Sequence, residues 1–447
     1  MAKKHREINE LPQQKIETKQ SVKAKGKKAS LKNIEDAMDY LRNNFDIRYN
    51  IMANEVEYKR KDEKEYKYFD DFEYNSLHLE INLEGIDLAE NKFRQIIASR
   101  FIAEKYDPFK EYLKALPVWD GKEDHIKTFL QQIYLTKESD RDYFITGFKK
   151  WFVGLVMSLW IDIPDQRFVN QFALILIGRE QGKYKSTWLG SIIPEEFRLK
   201  YYYQSSFNPH NKDHEKYLAT KVLINFDEMA AFNKTDIETI KSKITQGQVS
   251  LRLPYAKGDI HLKRRASFCG SINDRQFLRD ETGSRRWFVI EVDSIAYNAN
   301  FDISLIWAQA FTMFKNDYKW WLDGDDIRKL EDRNQEFTEM SMEEEYLLEM
   351  FDKPTPQEIS EGALYLRHYT TSQIADRIAN DKERMNINNS VKRLLGKALT
   401  KHKFPRVSKS KVSATGSPGY VWIVKNSGEG QQSLPKNSES ANLDDII

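Results

Sequence analysis

The chain has a single cysteine, Cys269, among 447 residues. One thiol excludes an intramolecular disulfide and any Cys/His zinc-finger spacing, and its apolar setting marks it as a small core residue. Long hydrophobic runs are missing as well. The longest, around Trp151–Ile163, is too short and too interrupted to span a bilayer, and no secretory apolar segment follows the N-terminus. A cytoplasmic protein with no membrane partner is therefore expected. Net charge is also small, 70 Lys and Arg against 68 Asp and Glu, so attraction to any polyanion has to be read region by region. A chain of this length can bury a large core and should form about two to four domains.

The most informative stretch is Gln171–Trp188, QFALILIGREQGKYKSTW. An apolar run, Phe172 to Ile177, stops at Gly178. A polar loop comes next with Gln181, Gly182, Lys183 and Tyr184, then Lys185, Ser186 and Thr187. A strand, a glycine-bearing loop, a lysine and a hydroxyl form the layout that cradles a magnesium-bound nucleoside triphosphate. One feature departs from the usual spacing: Tyr184 stands where a glycine normally precedes the lysine. A tyrosine in a left-handed conformation is strained. The plain alternative is a strand ending in a polar turn.

Three further strand ends supply what triphosphate hydrolysis needs. Lys221–Met229, KVLINFDEM, ends in Asp227-Glu228; one carboxylate can hold Mg²⁺ and the other can deprotonate the attacking water. Ala266–Ile272 ends in Asn273, an amide suited to sense the terminal phosphate. Arg285 and Arg286 come after a Gly-Ser turn, before the Phe288–Val292 strand, and could neutralise charge on the transferred group. An acidic pair after a strand, or an arginine pair, can also be simple solvated surface.

The residues QGKYKSTW, INFDEM, LRLPYAKGDIHLKRRASFCGSIN and FLRDETGSRRWFVIEV resemble the virulence-associated protein E family, superfamily 3-like helicase ATPases of phages, plasmids and integrated mobile elements. The likeness runs over roughly residues 75–345. It implies an AAA+-like ATPase that uses ATP and Mg²⁺, acts on single-stranded or forked DNA and works as a homo-oligomeric ring. The sequence has no polymerase-like acidic constellation, so any primase is expected on a separate chain. By that resemblance Lys185 and Ser186 match triphosphate and Mg²⁺ contacts, Asp227 and Glu228 the metal-binding and catalytic acids, Asn273 the sensor, and Arg285 or Arg286 the arginine finger.

The fold expected is α/β, a P-loop core of the AAA+ or superfamily 3 type over residues 151–300. Before it stand a basic arm (1–30) and a mainly helical domain (31–150). After it come a helical bridge or lid (301–352), a winged-helix-like domain (363–425) and an acidic tail (426–447). The arm, with nine Lys or Arg and three Glu, should be disordered and either binds nucleic acid or solubilises. Leu88–Tyr106 reads as one helix. The aromatics between Tyr58 and Tyr74 fit a core better than a base-stacking surface. Two β-like runs around Pro254–Gly258 form a basic hairpin with Arg252, Lys257, His261 and Lys263, a DNA contact or a salt-bridged surface. In the C-terminal unit Lys392, Arg393 and Lys397 lie on the outer face of a second helix suited to the major groove. A helicase-like ATPase is the first reading. A regulatory or defence module that holds nucleotide and hydrolyses it slowly, if at all, is the second.

Overall fold

The computed structural model of the chain describes residues 30–178, 184–227, 232–251, 258–278, 284–381, 387–409 and 419–429, with the backbone alone at Asp227, Lys234 and Lys409. The expected arm, save residue 30, and the tail from residue 430 lie outside the described residues. The fold is mixed α/β. It divides into two compact units, Met1–Arg275 with Gly283–Leu330 and Gln276–Thr282 with Glu331–Ile447.

The first unit is built on a six-stranded sheet. Its order is Ile133–Leu135, Trp287–Ile295, Ala173–Ile177, Ser267–Ile272, Leu223–Asp227, Tyr202–Ser205. Every pairing is parallel except the first, where Ile133–Leu135 runs antiparallel at the edge. The ALILI run at Ala173–Ile177 and the SFCGSI run at Ser267–Ile272 are buried at every position, as expected of central strands covered on both faces. Cys269 is buried within one of them, as its apolar setting predicts.

The helix Arg141–Trp160 is apolar nearly all round because it is enclosed nearly all round. Trp151 donates its indole N–H to the Phe268 carbonyl at 3.1 Å, tying the helix to a central strand. On its far side Phe152 meets Trp307 of the helix Ser304–Lys315 edge-on at 5.2 Å. Trp307 in turn donates to the Ile192 carbonyl at 2.8 Å, and Trp188 stacks on Phe129 at 4.8 Å. These contacts pin the helix Lys185–Ser191 against the core. No helix among the described residues is long and apolar enough to cross a membrane.

The N-terminal segment carries a small sheet among its helices. Strands Phe45–Asn50 and Glu55–Arg60 form a hairpin, turning at Asn54 with φ 60°, and continue into a four-stranded sheet with Lys67–Tyr68 and Glu104–Tyr106. The long helix expected over Leu88–Tyr106 is Glu90–Ile97 only. Ser99 ends it by donating its hydroxyl to the Ile96 carbonyl at 2.6 Å, a local bond that competes with the helical ladder. Phe101, beyond the end of this helix, is exposed. Tyr58, Phe69 and Tyr74 pack into the core of this region, as their apolar bulk predicts.

The second unit packs helices Met342–Met350, Thr371–Asp381 and Asn389–Lys401 on a small antiparallel sheet. Strand Gly419–Asn426 pairs with Phe351–Asp352, Arg367–Tyr369 and Arg406–Lys409. Thr370 caps the second helix, its hydroxyl accepting from the Gln373 amide while the Gln373 side chain accepts from its own. Asn388 caps the third through Val391. Ile374, Ile378, Leu395, Leu399 and Trp422 close the core.

Candidate functional site

Parallel strands point their C-terminal ends the same way, and open α/β sheets hold ligands at that edge. Gly178 comes after one strand there, Asn273 after its neighbour, and Asp227 closes the next. The register aligns Ser271 with Leu176 on one side and Asp227 on the other, so the three strand ends are level.

Lys185 and Asn273, eighty-eight residues apart, meet here. The buried Lys185 ammonium donates to Asn273 Oδ1 at 2.7 Å and to the Gly178 carbonyl at 2.9 Å. Gly178 gives it room: a Cβ there would stand 3.0 Å from the Val292 carbonyl and 3.2 Å from Lys185 Nζ. Ser186 and Ser271 share a hydroxyl–hydroxyl bond of 2.8 Å, and Tyr202 donates to the Ser186 carbonyl at 3.2 Å. Thr187 is exposed. Gln181, Gly182, Lys183 and Glu228 lie outside the described residues, as does the Asp227 side chain.

Tyr184 takes the conformation glycine would have taken, with φ 57° and ψ 10° at the start of the helix. Its carbonyl accepts from the Trp188 amide at 2.7 Å, so the helix begins on schedule. Its ring is 57% exposed and stacks on Tyr297 at 6.1 Å and 24°.

Arg285 and Arg286 are not part of this cluster. Trp287 aligns with Ala173 and Glu291 with Ile177, which sets the arginines at the opposite end of the sheet. Four strand steps and the flanking residues make that roughly 15 Å from the Lys185 end. With Trp320, Trp321 and Thr245 they line a separate cavity of about 140 Å³. Arg285 is exposed. Arg286 is half-buried, and burial together with the Arg285 charge pushes its guanidinium below its ordinary value.

The basic hairpin exists as Gln248–Leu251 paired with Ile260–Lys263, but its charge is differently used. Arg252 and Lys257 lie outside the described residues. His261 is exposed and bonded to Ser250 at 2.9 Å. Lys263 corrects the expectation of a DNA contact. It is 8% exposed and donates to the Ser158 carbonyl at 2.7 Å and to that of Ile161, at the end of the long helix. Burial, with Arg265, Arg264 and Lys110 nearby, pushes its ammonium down to about 7 against the pull of Asp162. Arg264 is fully buried on the carbonyls of Gln246, Ile244, Asn170 and Ala266. Arg265 is paired with Asp107 and Asp162. The basic run Lys263-Arg264-Arg265 ties the hairpin base to the core instead of presenting charge to solvent.

In the second unit Arg393 and Lys397 are exposed on the third helix and Lys392 is half-buried. Three side chains at the first site are not marked by the sequence expectations: Ser271, Tyr297 and Arg275, the last paired with Glu291 at 3.4 Å. Arg275 carries a signal, since it lies two residues after Asn273. Ser271 sits inside an apolar run and Tyr297 past the end of a strand, where nothing local marks them. Among the described residues no group of three or more His, Cys, Asp or Glu could hold a metal.

A family model described as the virulence-associated protein E-like domain matches residues 113–339, just over half of the chain. No curated protein matches it. Among solved structures, the chain is similar to the apo structure of the NrS-1 C-terminal region, residues 305–718, at TM-score 0.43 and 14% identity, covering 87% of this chain and 97% of that one. An A-form apo structure of the same region gives 0.42 and 12%, covering 86% and 96%. At such scores these two likenesses carry no weight for the function.

Proposed function

The chain belongs to the virulence-associated protein E-like family, and on that premise we propose that it is an ATP hydrolase that moves or unwinds DNA for a phage, plasmid or integrated mobile element. The observation that carries the proposal is the meeting of Lys185 with Asn273 and Gly178 at the C-terminal edge of the sheet. Gly178 through Thr187 then act as a P-loop, and the six-stranded sheet as an AAA+ or superfamily 3-type core.

The residues present fit a magnesium-bound triphosphate. Gly178 leaves room for the Lys185 side chain that a Cβ would crowd, and the partners of the Lys185 ammonium include the Asn273 and Gly178 oxygens, which phosphate oxygens can replace. The Ser186 hydroxyl, bonded to the Ser271 hydroxyl, can turn to a metal. Mg²⁺ when bound would neutralise charge on the phosphates. Lys185 binds and orients the triphosphate. Asn273, just past the end of the strand between the loop and the acids, positions the water that Glu228 deprotonates, and Asp227 would hold the metal. Ile177, Ile272 and Trp188, next to these residues in the chain, are buried.

Arg285 and Arg286 cannot reach this site within one subunit, since they occupy the other end of the sheet. Their position suits a finger offered to a neighbour, which supports a homo-oligomeric ring. The second unit, two capped helices and then a strand pair, suits a winged helix whose Lys392, Arg393 and Lys397 meet DNA phosphates. Any primase would be a separate chain, and the cytoplasm the compartment.

One observation favours the second reading, a nucleotide-binding regulatory or defence module with weak turnover: Tyr184 stands in the left-handed position at the phosphate loop. ATP turnover with and without single-stranded DNA separates the two. Strong stimulation by DNA, abolished by Lys185→Ala, supports the helicase-like ATPase. Nucleotide binding with no turnover on any DNA supports the regulatory module.

A further inference from the structure

The Tyr184 ring has no role in the phosphate chemistry, yet it is exposed beside Lys185 and backed by Tyr297. The order of the sheet says where a nucleoside end would lie. The terminal phosphate must face the acids, so it points from the Ala173–Ile177 strand across Ser267–Ile272 toward Leu223–Asp227. The nucleoside must then extend the opposite way, over Trp287–Ile295. Tyr297 stands just past the end of that strand, and Tyr184 lies against it.

We infer that Tyr184 and Tyr297 form the platform on which the nucleobase of the bound triphosphate stacks, the base lying on the open face of Tyr184 with Tyr297 behind it. This rests on the P-loop reading above and adds the base site to it. It also explains why a tyrosine is kept at φ 57°. A glycine would relieve the backbone but leave the base without a surface. A stacking platform reads the flat face that all bases share, not their hydrogen-bonding edges. The site should therefore accept purine and pyrimidine triphosphates with little preference.

The test compares two ligands on the full-length protein, a non-hydrolysable ATP analogue and inorganic tripolyphosphate, each with Mg²⁺. Tripolyphosphate has the phosphates and no base. Tyr184→Ala and Tyr297→Ala should each weaken the ATP analogue by roughly 5- to 150-fold, the range for loss of one base–aromatic stack. Tripolyphosphate affinity should stay within twofold in both, and Tyr184→Phe should bind both ligands as the parent does. Tyr184 is exposed, so its replacement leaves folding intact, and a thermal melt checks Tyr297→Ala. Equal weakening of both ligands would make the tyrosines mere supports of the loop and overturn the base site. Undiminished binding of the ATP analogue to both alanine variants would overturn it too. Failure of the parent protein to bind either ligand would remove the phosphate site itself, an outcome distinct from the other two.

Discussion

Lys263 gives the sharpest quantitative handle on the fold. Its ammonium sits among the carbonyls of Ser158 and Ile161, and burial with three neighbouring cations brings it down to about 7 from the ordinary 10.5. Below pH 7 both folded and unfolded chains hold this proton, and the cost of burying the charge is present in full. Between pH 7 and 10.5 the unfolded chain holds a proton that the folded chain has released, so stability rises with pH in that window. The limiting slope is about 1.4 kcal/mol per pH unit, and the gain from pH 7 to 9 is about 2 kcal/mol. The neutral amine still has two N–H groups for its two carbonyls, so the structure is unchanged. Urea unfolding of the first unit, tracked at pH 6, 7, 8 and 9, should show the midpoint climbing by about 0.7 M between pH 7 and 9 for a slope near 3 kcal/mol per M. Lys263→Met should remove that climb, since no other group that differs between the two proteins titrates there. Parallel pH profiles for the two proteins would mean that the ammonium keeps its charge inside the fold, and the predicted window would be wrong.

Three further outcomes rest on named contacts. A Cβ at Gly147 would intrude on the Phe288 ring, so Gly147→Ala should cost about 1–3 kcal/mol in thermal unfolding, and an unchanged melting temperature would mean that helix and strand can part freely. Glu57 tends upward through burial, but Lys200, Tyr106 and Asn50 hold its carboxylate at about 2, so its stabilisation is present above about pH 4.5 and lost as pH falls toward 2. Screening reduces that loss to about 1–2 kcal/mol, and Glu57→Gln should flatten the acid limb of the stability profile. Mixing Arg285→Ala or Arg286→Ala subunits with Glu228→Gln subunits should restore part of a turnover that each loses alone, against an arginine-finger effect of about 10³–10⁵ in rate. No recovery in mixed assemblies would exclude a finger acting between subunits.

The strands of the main sheet are legible in the sequence where burial is symmetric. Ala173–Ile177, Leu223–Asp227, Ser267–Ile272 and the start of Trp287–Ile295 read as apolar runs because both of their faces are covered. Tyr202–Ser205 is not legible, since an edge strand of YYQS carries no such run, and neither is the three-residue Ile133–Leu135. The meeting of Lys185 with Asn273 is implied by chain order but fixed by register, which sequence does not carry. Lys263, Arg264 and Arg265 mislead for a physical reason. A basic run looks solvated, yet here helix-end and loop carbonyls take up its N–H groups from inside. The opposed placement of Arg285 and Arg286 is equally hidden, because only the parallel pairing of Trp287 with Ala173 shows which end of the sheet they occupy.

If Lys185 and its strand-end partners hold a magnesium-bound triphosphate, equilibrium binding of Mg-ATP to the parent protein, Glu228→Gln and Lys185→Ala will show it, with hydrolysis measured in the same samples. Glu228→Gln should bind ATP without turning it over, and Lys185→Ala should lose both binding and turnover. Binding and hydrolysis by Lys185→Ala at parent levels would place the triphosphate elsewhere and leave this strand-end cluster without it.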